Sequence, residues 1–101
     1  MEKTIKVVVK EVNELCEVRE IENTLEALKT IVEGHIEVAH FRDCVSMICN
    51  EEGKFDGLLP NFATAHDIIV GNVLFTAVDE EGDGRSLTED EVQLVLELFS
   101  K

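Results

Sequence analysis

The run Asp79-Glu80-Glu81-Gly82-Asp83-Gly84-Arg85-Ser86-Leu87-Thr88-Glu89-Asp90 is where the chain comes nearest to familiar site chemistry. Acids stand at the first, third and fifth places and glycine at the sixth, which is the spacing of a calcium-binding EF-hand loop. The likeness stops there. The eighth place, aliphatic in such loops, is Ser86, the last is Asp90 where a bidentate Glu belongs, and Leu87 and Glu91 each come one place late. An EF-hand also needs an entering helix, and the residues before Asp79 are strand-like. The reading is an acidic turn into a final helix, and no metal is expected.

Thiols and imidazoles raise zinc next, through Cys16, Cys44, Cys49, His35, His40 and His66. Neither CxxC nor HxxxH spacing occurs. On a regular strand Cys44 and Cys49 point to opposite faces, as do His35 and His40, so core cysteines and strand-surface histidines are expected. Catalysis has no better footing. Ser46 and Ser86 lack a glycine elbow, the glycines are scattered, and His66-Asp67 reads as a surface turn before it reads as an acid/base pair. No catalytic residue and no cofactor are expected. Capture of a small anion needs fewer groups, and Arg19 and Arg42, the arginines near the first two hairpins, are the candidates for it.

Elements that could position these groups follow from periodicity. Thr4 to Val12 alternates, with Ile5, Val7 and Val9 on one side and Lys6, Val8 and Lys10 on the other, and Leu15 to Ile21 is close enough to pair with it as a hairpin. Asn23 and Glu26 have capping-box spacing, so a helix is expected over 24–33 with Leu25, Leu28, Ile31 and Val32 on one stripe and Gly34 in the left-handed turn that ends it. His35 to Phe41 and Cys44 to Cys49 read as a second hairpin split at Arg42-Asp43. Lys54 to Asp67 reads as a long ordered loop, and Ile68 to Val78 as one long strand bent at Gly71. Thr88 and Glu91 repeat the capping box ahead of a last helix carrying Val92, Val95, Leu96 and Phe99. The order ββαββ, loop, βα predicts one α+β domain over 1–101: an antiparallel sheet of about five strands, with two helices on one of its faces.

Composition bounds the function. The chain has 101 residues, 45% of them hydrophobic, enough for an ordinary core without metal or disulfides. Three cysteines and no apolar run long enough for a membrane span predict a soluble protein of a reducing compartment. The formal charge is −13. From Asp79 to Glu97 the acids Asp79, Glu80, Glu81, Asp83, Glu89, Asp90, Glu91 and Glu97 face Arg85 alone. Such a surface repels a polyanion, so direct binding of nucleic acid is not expected, whereas a basic partner is attracted. The acids read either as a hydration coat or as a decoy for a nucleic-acid-binding protein.

Glu17-Val18-Arg19-Glu20-Ile21, Asn23-Thr24-Leu25-Glu26-Ala27-Leu28, Gly34-His35-Ile36-Glu37-Val38, Cys49-Asn50-Glu51-Glu52-Gly53-Lys54, Leu58-Leu59-Pro60-Asn61 and Ile68-Ile69-Val70-Gly71 occur in that order. With them the chain resembles domain of unknown function family 3846 over nearly its whole length. The resemblance implies a small protein of bacterial phages, plasmids and other mobile elements, and supplies no activity. Asn61 to Asp67 and Gly82-Asp83-Gly84 depart from the usual pattern. In that setting the expectation is a non-enzymatic counter-defence protein of the bacterial cytoplasm. It would occupy the basic surface of a host nuclease or CRISPR effector with Asp79, Glu80, Glu81, Asp83, Glu89, Asp90 and Glu91. The alternatives are a sponge for a cyclic-nucleotide or ADP-ribose immune signal held by Arg19 and Arg42, a homo-oligomer interface being one place for it, and a regulatory accessory protein.

Overall fold

β-Branched and other apolar residues at consecutive positions, as in Val7-Val8-Val9 and Val73-Leu74-Phe75, cannot turn one side to water. They require a sheet covered on both faces. The computed structural model describes residues 3–65 and 67–99 and shows such a sheet. Its strands are β1 (Thr4–Lys10), β2 (Glu17–Glu22), β3 (Ile36–Arg42), β4 (Val45–Asn50) and β7 (Val73–Val78), in the order β2-β1-β7-β4-β3 with every pairing antiparallel. The two-residue β8 (Gly84–Arg85) pairs with the end of β7. Just beyond it, Lys6 N donates to Ser86 Oγ (2.9 Å) and Leu87 N to Lys6 O (3.0 Å), so the segment is also tied to β1. β5 (Pro60–Ala63) and β6 (Ile68–Val70) form a separate two-stranded arm.

The helices α1 (Leu25–Val32) and α2 (Glu89–Leu98) cover opposite faces, which corrects the expectation that both lie on one. Val32 packs with Ile5, Val7, Val9, Ile48 and Leu74 on one side. Val92 and Val95 pack with Val8, Val45, Met47, Val73, Phe75 and Ala77 on the other. The reason lies in β7: its alternate residues go to different cores, and each core needs its own cover. On the α2 face Phe75 meets Phe41 and Phe99 at centroid distances of 4.9 and 5.5 Å, and Phe62 of the arm meets Phe99 at 4.8 Å.

Both hairpins and the α2 capping box form as expected, with Glu91 N donating to Thr88 Oγ1 at 3.2 Å and Thr88 N to Glu91 Oε1 at 2.9 Å. Four local expectations change. The α1 cap is Thr24, whose Oγ1 accepts from Ala27 N (3.1 Å), because Asn23 instead donates through Nδ2 to Gly84 O (3.2 Å). The left-handed residue after α1 is Glu33 (φ 64°), not Gly34. Gly34 is needed for closeness: a Cβ there would lie 2.6 Å from Asn50 Nδ2. The expected long strand 68–78 is two strands in two sheets, broken where Gly71 takes φ 75° and donates to Leu59 O (2.8 Å). Its first half pairs with β5, so the expected loop 54–67 contains a strand.

Asparagines hold the breaks. Asn50, nearly buried, donates through Nδ2 to Val32 O (3.1 Å) and Glu33 O (3.3 Å), closing the end of α1, while its Oδ1 accepts from Glu52 N (2.8 Å). Asn61 donates to Lys10 O and Gly71 O, both at 2.8 Å, and Asn72 Oδ1 accepts from Val12 N at 3.0 Å. Among the described residues no helix is long and apolar enough to cross a membrane.

Candidate functional site

The acidic run folds into the turn between β7 and β8 followed by the first turn of α2. A strand enters the turn where an EF-hand needs a helix. Asp79 Oδ1 accepts from Glu81 N (2.9 Å) and Asp83 N (3.0 Å), and Asp79 N donates to Asp83 O (2.8 Å), so the backbone is fixed and the carboxylates of Glu80, Glu81 and Asp83 project into solvent. The Asp79, Glu81 and Asp83 ligand oxygens lie within 4.8 Å of one another, the one such His, Cys, Asp or Glu group among the described residues. Glu89 and Asp90 follow, both exposed, with Glu89 3.7 Å from Lys6 Nζ.

Glu91 differs from its neighbours. Arg85 grips it with two parallel bonds, Nη1 to Oε1 at 2.9 Å and Nη2 to Oε2 at 3.0 Å, and its side chain is only 16% exposed. It is a strut between β8 and α2, and of the seven acids expected to meet a partner it is the one held by two parallel hydrogen bonds from an arginine. The Arg85 bonds, helped by the Thr88 amide, hold its carboxyl well below the usual range, from 4.5 to about 2. A depressed folded-state value stabilises the fold at neutral pH, and that contribution is lost as pH falls from about 4.5 through 2. Glu91→Gln is therefore expected to cost about 1–3 kcal/mol at pH 7 and to cost progressively less as the pH approaches 2. Urea unfolding of both proteins across that range measures it; a pH-independent difference would refute the ion-pair role.

Arg19 and Arg42 are not brought together. They sit on β2 and β3, the two outer strands of the main sheet path. Arg19 lines a surface hollow with Glu11, Glu14 and Glu17, bonding Glu17 through Nε and lying 3.4 Å from Glu11 Oε2. Three carboxylates around one guanidinium disfavour an anionic ligand.

The loop expected over 54–67 borders a groove of about 320 Å³ between the arm and the β3–β4 hairpin, lined by Glu37, Met47, Cys49, Ile69 and others. Lys54 and Asp67 form an ion pair beside it, which lowers the Asp67 pKa, and Phe55 stands 94% exposed. Burial, with Glu37 and Asp67, pushes the Cys49 thiol up, the wrong direction for a thiolate nucleophile. All three cysteines are free. Cys44 is exposed in the β3–β4 turn and Cys16 lies half-buried before β2. His66, named above for zinc and for a pair with Asp67, lies outside the described residues.

Sequence reasoning passed over a third feature. On the α1 face, beyond the part that α1 covers, an apolar groove of about 260 Å³ runs between Leu25 and Leu28 of α1, Ile36 and Val38 of β3, and Val78 and Gly84. Ser46 and Thr76, directly opposite each other on β4 and β7, line it as well. Thr76 was the available signal, being the one polar residue in Val73–Val78.

These features define a class: a small acidic α+β domain whose antiparallel sheet carries one helix on each face. Within that class the chain belongs to the family described as Domain of unknown function (DUF3846), whose model matches residues 5–100. No curated protein and no solved structure matches the chain.

Proposed function

We propose that the protein is a non-enzymatic binding protein that docks on a basic, nucleic-acid-binding surface of a host defence protein, a nuclease or a CRISPR effector, in the bacterial cytoplasm. The observation that carries this reading is the set of exposed carboxylates Asp79, Glu80, Glu81, Asp83, Glu89 and Asp90 on a turn and helix start whose backbone is fixed by its own hydrogen bonds. Presented on rigid backbone, these charges lose little freedom when a partner arrives. They also imitate the spaced negative charge of a nucleic-acid backbone. Glu91 serves by holding the helix start against β8.

The complex is expected to weaken steeply with salt, since exposed charges beyond about 10 Å are screened at 0.1 M. The test is phage plating on a host carrying a nuclease or CRISPR defence and expressing the protein. Replacing Glu80, Glu81 and Glu89 by Gln and Asp83 by Asn in one chain is expected to abolish protection while leaving the melting temperature close to the parent's. Undiminished protection by that variant would sink the reading.

A further inference from the structure

The two outer strands, β2 and β3, meet the solvent differently. Among the described residues no strand pairs with the free side of either. An open edge offers its unpaired N–H and C=O groups to any second strand, and proteins usually block it with charge, proline or a covering element. β2 is blocked, because Glu17, Glu20 and Glu22 stand along it against Arg19 alone, and a second copy of the same edge is repelled. β3 has no such guard. Ile36-Glu37-Val38-Ala39-His40-Phe41-Arg42 contains neither Lys nor Pro, and its one acid is balanced by its one arginine.

The groups that β3 leaves open can be named. Glu51 N donates to His35 O (2.9 Å), which extends the β3–β4 ladder by one hydrogen-bonded pair beyond Ile36 and Asn50. Bonded and non-bonded pairs alternate in an antiparallel ladder, so Glu37 and Ala39 bond to β4 while Ile36, Val38 and His40 turn their backbone groups outward. Both faces beside this edge are apolar and uncovered: Val38 and Leu25 border the groove on the α1 face, and Phe55 and Ile68 the groove on the other, each more than half exposed. The bulge between His40 and Arg42 ends the regular stretch and sets Arg42 opposite Val45, hence on the same face as Glu37, which lies opposite Cys49. That face has an acid at one end of the strand and a base at the other. Turned end for end, the strand is its own complement. The chain's charge of −13 opposes self-association in general, whereas β3 sums to zero and its reversal brings acid beside base.

We propose that β3 is the contact edge of a homodimer: two copies pair β3 antiparallel to β3 about a two-fold axis at Ala39, so that their sheets join into one and Glu37 of each copy lies beside Arg42 of the other. In this register Val38 exchanges both backbone bonds with His40 of the second copy, using groups that are open in the monomer. Ala39 meets Ala39 of the second copy across the axis as a non-bonded pair, where Cα atoms approach to about 4.5 Å and a small side chain fits. The backbone bonds hold the strands together and the charge pairs fix their overlap. The dimer is independent of the acidic-surface reading, since none of Asp79 to Asp90 lies on β3.

The test is sedimentation of the intact protein from micromolar to millimolar concentration, where a dimer is expected. Val38→Pro removes an N–H that faces outward, a place where an edge strand accepts proline, and is expected to keep the circular dichroism of the parent while sedimenting as a monomer. Glu37→Arg and Arg42→Glu, each alone, set like charges side by side at both ends and are expected to weaken the dimer about tenfold. Mixed together, the two variants match acid with base again at both ends and are expected to dimerise as tightly as the parent. The mixture reads a recovery, which a misfolded variant cannot give. With the native cysteines replaced by serine, Ala39→Cys is expected to form a disulfide between copies, since a separation of about 4.5 Å lies within the span such a bond allows. A monomer at millimolar concentration overturns the proposal. So does a dimer that Val38→Pro and both charge reversals leave unchanged, or a mixture no tighter than its separate components. A dimer in which Ala39→Cys fails to cross-link overturns the register about Ala39.

Discussion

Phe75→Ala is expected to lower the free energy of unfolding by about 3–5 kcal/mol, the cost of removing a large buried ring and leaving a cavity that its neighbours cannot fill. Phe75 is fully buried in the middle strand of the sheet path, where β1 supplies one neighbour and β4 the other through Val8 and Met47. Its ring is in contact with those of Phe41 and Phe99, and through Phe99 the arm's Phe62 joins the same group. Deleting it loosens β3, α2 and the arm together. Small domains hold only about 5–15 kcal/mol in total, so the variant is expected to be partly unfolded at 37 °C. Urea denaturation followed by circular dichroism measures this; a loss below about 1 kcal/mol would show that the ring group is not the centre of the fold.

Asn50→Ala is expected to cost about 2–3 kcal/mol, because it leaves the carbonyls of Val32 and Glu33 and the amide of Glu52 without their partner in a nearly dry place. Asn50→Asp separates donor from acceptor. The carboxylate still accepts from Glu52 N but offers no N–H to the two carbonyls, so it too is destabilised. Gly34 supplies a stricter check. A Cβ at Gly34 would lie 2.6 Å from Asn50 Nδ2, so Gly34→Ala is harmful beside Asn50 and much less so beside Ala. The double variant is therefore expected to cost less than the two single ones added together, read by the same unfolding experiment. Strict additivity would mean that the Asn50 side chain does not close the helix as described.

What the sequence made legible was whatever is decided within a few residues. The alternation of Ile5, Val7 and Val9 against Lys6 and Val8 fixes a strand by itself, and Thr88 with Glu91 fixes a helix start by itself, since both depend on neighbours three or fewer places away. What stayed hidden depends on partners far off in sequence. The cap of α1 moves from Asn23 to Thr24 because Asn23 is engaged by Gly84. The bend at Gly71 was visible, but not that the two halves join different sheets, because that depends on Pro60 to Ala63 offering an edge. The motifs that carried the family resemblance behave the same way. Asn50, Asn61 and Gly71 stand at chain breaks, where each binds backbone from a distant segment. They speak for the fold and not for an activity.

The site was legible in its charge and illegible in its detail. The sequence shows that Asp79 to Asp90 is acidic, yet not that Glu91 is withdrawn from it by Arg85, nor that Arg19 and Arg42 stand on opposite outer strands. Both facts depend on the order of strands, which no local pattern encodes.

That order also dictates how the chain must come into being on the ribosome. The hairpins β1–β2 and β3–β4 are synthesised first, yet no strand pairing joins them until Val73–Val78 arrives to lie between them. A nascent chain stalled before that point has two separate ribbons with open edges and bare apolar sides, a form prone to stick to its own kind or to engage chaperones. Completion is therefore abrupt and comes late in translation, and a premature stop codon anywhere upstream of Val73 removes the whole protein, not merely its tail.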